Sequence, residues 1–176
     1  MTTANKITLF RVILIPVFLI LAYSGHLVWA FVVFVLASLS DMLDGYIARH
    51  YNQITDFGKF MDPLADKVLV MAAMCYFVEA GRMPGWVLAI VLLREFAVSG
   101  MRLVAVEQGR VIAAGWSGKI KTASTMVCLC LMLLFGAPEA ARDWVALLSS
   151  AALLVTTVYS GAEYFIKNLD VFRHVD

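Results

Sequence analysis

The chain has 176 residues, of which 62% are hydrophobic and 15% are charged, and its mean hydropathy is +0.84. A soluble domain is nearer half apolar, so this composition excludes an ordinary soluble protein and indicates an integral membrane protein. The formal net charge is only +1, and nucleic acid is not an expected partner. At about 20 residues for each spanning helix, the length allows about six helices in a single transmembrane domain, residues 1–176.

The predicted elements follow the apolar runs of the sequence. The first run covers about 7–23, and Thr8 and Arg11 make its start amphipathic, so we expect this N-terminal segment to lie at the membrane surface. The remaining predicted helices cover about 27–49, 58–80, 86–106, 118–135 and 144–167. Glycine or proline interrupts most of the connections between them. The predicted fold is therefore all-α, with six transmembrane helices and an amphipathic N-terminal segment.

Four aspartates lie within 26 residues, where the second predicted helix ends and the third begins. On a helix, Asp41 and Asp44 are i, i+3 neighbours, and Asp62 and Asp66 are i, i+4 neighbours, so each pair shares a face. An aspartate inside a membrane helix costs roughly 2.5–3.5 kcal/mol, and like charges repel each other. Two divalent cations with oxygen ligands would compensate for both costs. The alternative is a set of solvated charges on a cytoplasmic loop.

Small residues accompany both pairs of aspartates. Gly45 and Ala48 lie on the face of the first pair, and Gly58 lies one turn before the second. They would keep a space open between two helices that present these faces to each other. Without the aspartates, the same spacing is also typical of ordinary helix packing in lipid.

The whole pattern reads D-x2-D-G-x2-A-R-x8-G-x3-D-x3-D, and it resembles the signature of the CDP-alcohol phosphatidyltransferases, integral membrane enzymes of phospholipid synthesis. The positions of that signature are occupied here by Asp41, Asp44, Gly45, Ala48, Arg49, Gly58, Asp62 and Asp66. The resemblance implies transfer of a phosphatidyl group from a CDP-linked lipid to an alcohol, with release of CMP. It also implies Mg²⁺ or Mn²⁺ as the cofactor, with two ions in each active site, and a homodimer.

The resemblance further implies roles for individual residues. The implied metal ligands are Asp41, Asp44, Asp62 and Asp66, and Asp66 is also the implied general base. The residues implied to bind the CDP-lipid are Gly45, Ala48, Arg49, Gly58 and Thr8. For Arg49, the alternative is an anchor that holds a helix end at the interface.

A second group of polar residues is basic and comprises Arg94, Arg102, Lys119 and Lys121. Arg94 and Arg102 are eight residues apart and share a helix face, whereas the adjacent Arg94 and Glu95 do not. Guanidinium and ammonium groups are the usual partners of phosphate. We therefore expect this group to bind a phosphorylated acceptor. The alternative for each cation alone is a side chain that extends to the membrane interface.

Residues 5–11, 93–102 and 118–122 are similar to the phosphatidylglycerophosphate synthase branch of the family, and the similarity covers about 5–126. It implies CDP-diacylglycerol as the donor and sn-glycerol 3-phosphate as the acceptor. Another acceptor within the family remains open: inositol phosphate, serine or a phosphatidyl lipid. A divalent-cation transporter with an aspartate-lined path is the alternative from another class.

The distribution of Lys and Arg predicts the orientation. When alternate loops are assigned to opposite sides of the membrane, twelve of these residues lie toward one side, and only Arg82 and Arg142 lie toward the other. Cytoplasmic segments carry the excess of Lys and Arg. We therefore expect both termini and the active site on the cytoplasmic side of a bacterial-type inner membrane.

Overall fold

The computed structural model describes the backbone of residues 3–50, 56–110, 112–113, 115–135 and 139–169. Within these ranges it describes all side chains except those of residues 3–6, 41–50, 56–60, 62–63 and 139–142. The described chain is all-helical and has no strand. Its helices are α1 Thr3–Tyr23, α2 Leu27–His50, α3 Asp56–Glu79, α4 Gly85–Glu107, α5 Trp116–Leu134 and α6 Glu139–Lys167. The predicted helix order is confirmed.

Three helices end at a glycine in the left-handed region, where a side chain would be strained. Gly25, Gly81 and Gly109 have φ values of 77°, 67° and 72° and follow α1, α3 and α4. After α1, the His26 N–H donates to the Leu21 carbonyl at 3.0 Å, and equivalent bonds close the other two turns. This six-residue closure is the Schellman motif, which satisfies carbonyls at a helix end. The glycines therefore explain why the helix boundaries could be predicted closely.

The helices form one packed bundle. α1 packs on α2 and α3, α6 packs on α4 and α5, and the contact of α2 with α5 joins these two groups. Phe18 and Phe34 lie at the centre of the α1–α2 contact, with no exposed surface and ring centroids 5.7 Å apart. Ala30 and Ala37 on α2 are also fully buried. Small residues of this kind let helix backbones approach closely in a membrane protein.

A smaller apolar cluster lies between α4 and α6. It contains Val98, Met101 and Ala105 on α4 and Tyr164 on α6, and all of them are buried. This cluster holds one side of α6 against the part of α4 that carries the predicted basic residues. The packing therefore determines which α6 side chains can reach those residues.

Two polar residues near the start of α1 are buried inside the bundle. Thr8 is 1% exposed and Arg11 is fully buried, and both belong to one continuous helix that includes Pro16. The Arg11 Nε donates to the Ser40 Oγ on α2 at 3.3 Å. A buried guanidinium needs partners inside the protein. These two polar side chains therefore serve the contact between helices, and the position of this segment at the membrane surface stays a prediction.

The outer surface of the bundle is strongly apolar. Leu93, Phe96 and Ile166, for example, expose 70%, 72% and 71% of their surface. Within the described residues, two helical segments are long and apolar enough to span a membrane, Trp116–Leu134 and Asp143–Lys167. Two shorter apolar segments are Ile7–Tyr23 and Leu27–Ser40. A broad apolar exterior is typical of a membrane protein.

Candidate active site

A cavity of about 540 Å³ lies between α3, α4 and α5. We call it the basic cavity, because five cations and two carboxylates line it. These charged residues are Asp66, Lys67, Arg94, Glu95, Arg102, Lys119 and Lys121. The lining therefore carries an excess of three positive charges and would attract an anion.

Each of the three helices contributes charged residues to the basic cavity. Asp66 and Lys67 are consecutive on α3, and both are partly buried. On α4, Arg94 and Arg102 are eight residues apart and lie on one side of the helix, as the spacing predicts. Lys119 belongs to the first turn of α5, near the positive end of that helix.

Glu95 holds the cations of the cavity together. Its Oε1 accepts hydrogen bonds from the Lys121 Nζ at 2.6 Å and from an Arg94 terminal nitrogen at 2.9 Å. Its Oε2 lies 3.8 Å from the Lys67 Nζ, which also donates to the Ser99 Oγ at 2.6 Å. One carboxylate thus forms ion pairs with residues on its own helix, on α3 and on α5.

Arg94 and Glu95 therefore meet, although neighbouring residues do not share a helix face. The Arg94 side chain is long enough to turn back to the carboxylate, and both side chains are largely buried, at 12% and 15% exposed. Residue spacing along a single helix does not predict this pair. The sequence feature that indicates the ion pair is an acidic residue next to an arginine inside an apolar run.

The α6 helix supplies partners that sequence analysis did not identify. The second terminal nitrogen of Arg94 donates to the Ser160 Oγ at 2.6 Å, and the Arg94 Nε is buried with no hydrogen-bond partner in the described part of the chain. The Arg102 Nε donates to the Tyr164 hydroxyl at 3.1 Å. The Arg102 guanidinium also lies over the Tyr164 ring, 5.5 Å from its centroid.

The two lysines of α5 differ in their surroundings. Lys119 is exposed, and its ammonium lies 5.0 Å from the centroid of the Trp116 ring. The Lys121 side chain is only 6% exposed and is held by Glu95. Lys119 is therefore the more accessible of the two to a bound anion, and Lys121 forms part of the cavity wall.

The structure brings one group of predicted site residues together and leaves another undescribed. Asp66, Arg94, Arg102, Lys119 and Lys121 all line the basic cavity. The other signature residues lie on the helical backbone of α2 and α3, but their side chains are outside the described residues: Asp41, Asp44, Gly45, Ala48, Arg49, Gly58 and Asp62. Thr8 is buried in α1 and is not among the residues that line the cavity, so its contact with the CDP-lipid stays a prediction.

The predicted metal ligands come from the end of α2 and the start of α3, two helices that pack against each other. Asp66 is the ligand whose side chain is described, and it is partly buried at the cavity. Among the described side chains, no three His, Cys, Asp or Glu residues lie together in a group that could hold a metal ion. The predicted donors are all carboxylate oxygens, the ligand type preferred by hard divalent cations.

The chain is similar to known proteins over most of its length. The sequence profile of a family described as CDP-alcohol phosphatidyltransferase matches residues 1–159. A CDP-diacylglycerol–glycerol-3-phosphate 3-phosphatidyltransferase from Bacillus subtilis (strain 168) is 40% identical over 186 aligned positions, covering 96% of both chains. The protein of that name from Shigella flexneri serotype 5b is 37% identical over 167 positions, covering 90% of both chains. The one from Salmonella typhimurium is 41% identical over 136 positions, covering 72% of this chain and 74% of that relative.

Replacement of Glu95 by Gln tests its role in the basic cavity. The change leaves the buried Lys121 ammonium and the Arg94 guanidinium without their shared anion. Removing one partner from a buried ion pair costs about 3 kcal/mol, so we expect the thermal midpoint of the purified protein to fall by roughly 6 °C or more. The control is Glu107→Gln, at an exposed residue near the end of the same helix. Equal midpoints for the two variants would contradict the role assigned to Glu95.

Proposed function

The chain belongs to the CDP-alcohol phosphatidyltransferase family, and on that premise we propose that it transfers the phosphatidyl group of CDP-diacylglycerol to sn-glycerol 3-phosphate. The products are phosphatidylglycerol phosphate and CMP. The observation that carries the proposal is that the last signature aspartate, Asp66, lines the same cavity as the four cations expected to bind the acceptor phosphate. The names of the bacterial relatives support the same acceptor.

The charge of the basic cavity suits a phosphorylated acceptor. A phosphate monoester carries close to two negative charges at neutral pH, and the lining has an excess of three positive charges. Guanidinium groups bind phosphate through two parallel hydrogen bonds, and ammonium groups bind it as point charges. We assign Arg94, Arg102 and Lys119 to the acceptor phosphate, and Lys121 to the supporting wall behind them. A cavity with this charge is a poor match for serine or for an uncharged alcohol.

Asp66 is the proposed general base. An alcohol is a weak nucleophile until its proton is removed, and a carboxylate within hydrogen-bond reach can accept that proton. The 1-hydroxyl oxygen of glycerol 3-phosphate attacks the phosphorus of the phosphatidyl group. The bond from that phosphorus to the CMP oxygen breaks, and the hydroxyl proton passes to Asp66. The cations near Asp66 would hold the other end of the acceptor.

The donor side of the site is formed by the signature residues of α2 and α3. The family generally depends on divalent metal ions, and the residues proposed to hold Mg²⁺ or Mn²⁺ are Asp41, Asp44, Asp62 and Asp66. Bound ions would stabilise the negative charge that develops on the departing phosphate. We propose that Arg49 contacts the CDP-lipid, and that Gly45, Ala48 and Gly58 leave room for its nucleotide.

We also propose that all six helices span the membrane, with both termini and the basic cavity on the cytoplasmic side of a bacterial inner membrane. The helices have 19 to 29 residues, which is close to the roughly 20 residues that a span requires. The ends of α1 and α3 meet through a hydrogen bond from Tyr23 to Glu79, away from the basic cavity. Because both residues lie at the C-terminal ends of their helices, α1 and α3 run in the same direction. This is expected if successive helices cross the membrane in opposite directions. Two such bundles would form the homodimer.

A labelled-acceptor assay tests the reaction directly. We expect purified protein to incorporate radiolabelled sn-glycerol 3-phosphate into lipid in the presence of CDP-diacylglycerol, and a chelator to abolish incorporation. Loss of a general base lowers the rate about 10²- to 10⁴-fold, so Asp66→Asn should be nearly inactive. Asp143→Asn, at an exposed residue at the start of α6, is the matched control and should retain activity. Incorporation of serine or inositol phosphate in place of glycerol 3-phosphate would show that the proposed acceptor is wrong.

Replacement of Arg102 by Gln tests the acceptor-phosphate assignment. Hydrogen bonds to a charged group contribute about 1.5–3 kcal/mol, so we expect the KM for glycerol 3-phosphate to rise about tenfold or more. The KM for CDP-diacylglycerol should stay within about twofold of wild type, and Arg110→Gln, at another exposed arginine, should change neither value. A higher KM for CDP-diacylglycerol with an unchanged KM for glycerol 3-phosphate would contradict the assignment.

A further inference from the structure

The α6 helix contacts two arginines of the basic cavity through three residues that lie after the signature and after the region matched by the family profile, which ends at residue 159. Ser160, Gly161 and Tyr164 occupy one side of α6 and face α4. Each of them touches an arginine that we assign to the acceptor phosphate. We call these three residues the α6 brace.

Ser160 and Gly161 fix the position of Arg94. The Ser160 Oγ accepts a hydrogen bond from the guanidinium at 2.6 Å, and Ser160 is 1% exposed. A Cβ atom added to Gly161 would lie 3.2 Å from the Arg94 Cγ. That distance is tighter than nine in ten real Cβ contacts, so the arginine stem packs directly on the α6 backbone. Only glycine leaves this space without a shift of Arg94.

Tyr164 fixes the position of Arg102 in two ways. Its hydroxyl accepts a hydrogen bond from the Arg102 Nε at 3.1 Å, and its ring lies under the guanidinium at 5.5 Å. The ring is 7% exposed because it packs in the apolar cluster with Val98 and Met101. A cation on an aromatic face gains about 0.5–2 kcal/mol, depending on its exposure to water. The buried Tyr164 side chain thereby holds the exposed Arg102 side chain in position.

Such positioning has a clear physical advantage. An unrestrained arginine loses about 2 kcal/mol of side-chain entropy when it is held in one conformation. Contacts made before the ligand arrives reduce the entropy lost on binding. Arg102 uses its Nε for Tyr164, which leaves the terminal nitrogens as the groups suited to a phosphate.

We propose that Ser160, Gly161 and Tyr164 are positioning residues for the acceptor phosphate, so that α6 determines the affinity for a phosphorylated acceptor without touching the reacting atoms. The inference rests on the proposed function, since it assigns Arg94 and Arg102 to that phosphate. It adds to the site a helix that has no signature residue.

Steady-state kinetics of Ser160→Ala, Tyr164→Phe and Gly161→Ala test the brace. A hydrogen bond contributes about 0.5–1.5 kcal/mol. Ser160→Ala and Tyr164→Phe each lose one such bond to an arginine, so each should raise the KM for sn-glycerol 3-phosphate about three- to tenfold. The kcat and the KM for CDP-diacylglycerol should stay within about twofold of wild type. Gly161→Ala should also raise this KM, because the added methyl requires the Arg94 Cγ to shift by a few tenths of an ångström.

Two matched variants control for general effects on α4 and α6. Tyr159 is 65% exposed, and a Cβ on Gly100 would meet no atom within 4 Å, so Tyr159→Phe and Gly100→Ala should leave both KM values unchanged. A merely structural role for the brace would lower kcat or raise both KM values together. That result, or an unchanged KM for glycerol 3-phosphate in both Ser160→Ala and Tyr164→Phe, would overturn the proposal.

Thermal shifts with inorganic phosphate separate this inference from the proposed function. If wild-type protein incorporated no glycerol 3-phosphate, the proposed function would fail, and the brace would be judged by phosphate binding alone. Phosphate should then raise the thermal midpoint of wild-type protein and of Tyr159→Phe more than that of Tyr164→Phe. Equal shifts in all three proteins, or no shift in any, would overturn the brace.

Discussion

The ion pairs of Glu95 are the constraint on which the basic cavity depends. Five cations line a space between helices whose outer surfaces are apolar, and their mutual repulsion would oppose close packing of α3, α4 and α5. One carboxylate reduces that repulsion by pairing with Lys67, Arg94 and Lys121, which come from all three helices. The remaining positive charge belongs mainly to Arg102 and Lys119, the more exposed cations. Glu95 therefore both stabilises the packing and determines where an anion can bind.

The α3 helix connects the two proposed halves of the site. Its first turns carry signature residues, and Asp66, the last of them, is followed at once by Lys67, which pairs with Ser99 and Glu95 on α4. Consecutive residues of one helix thus belong to the proposed donor side and the proposed acceptor side of the site. The α6 helix in turn holds Arg94 and Arg102 of α4, through Ser160 and Tyr164. Contacts from both α3 and α6 therefore position the charged residues of α4.

Sequence predicted the helices and the basic cavity better than it predicted the partners of the charged residues. Gly25, Gly81 and Gly109 end three helices, and helical spacing correctly placed Arg94 and Arg102 on one side of α4. Spacing along a single helix says nothing about which other helix lies opposite, so the roles of Ser160 and Tyr164 were missed. For the same reason, the amphipathic start of α1 does not reveal that Arg11 is buried against α2.

The most direct test of this account is an experimental structure of the protein with sn-glycerol 3-phosphate bound. The account predicts that the phosphate lies in the basic cavity, within hydrogen-bond distance of Arg102 and of Arg94 or Lys119, with the 1-hydroxyl group directed toward Asp66. A phosphate bound outside this cavity, or a 1-hydroxyl group directed away from Asp66, would contradict it.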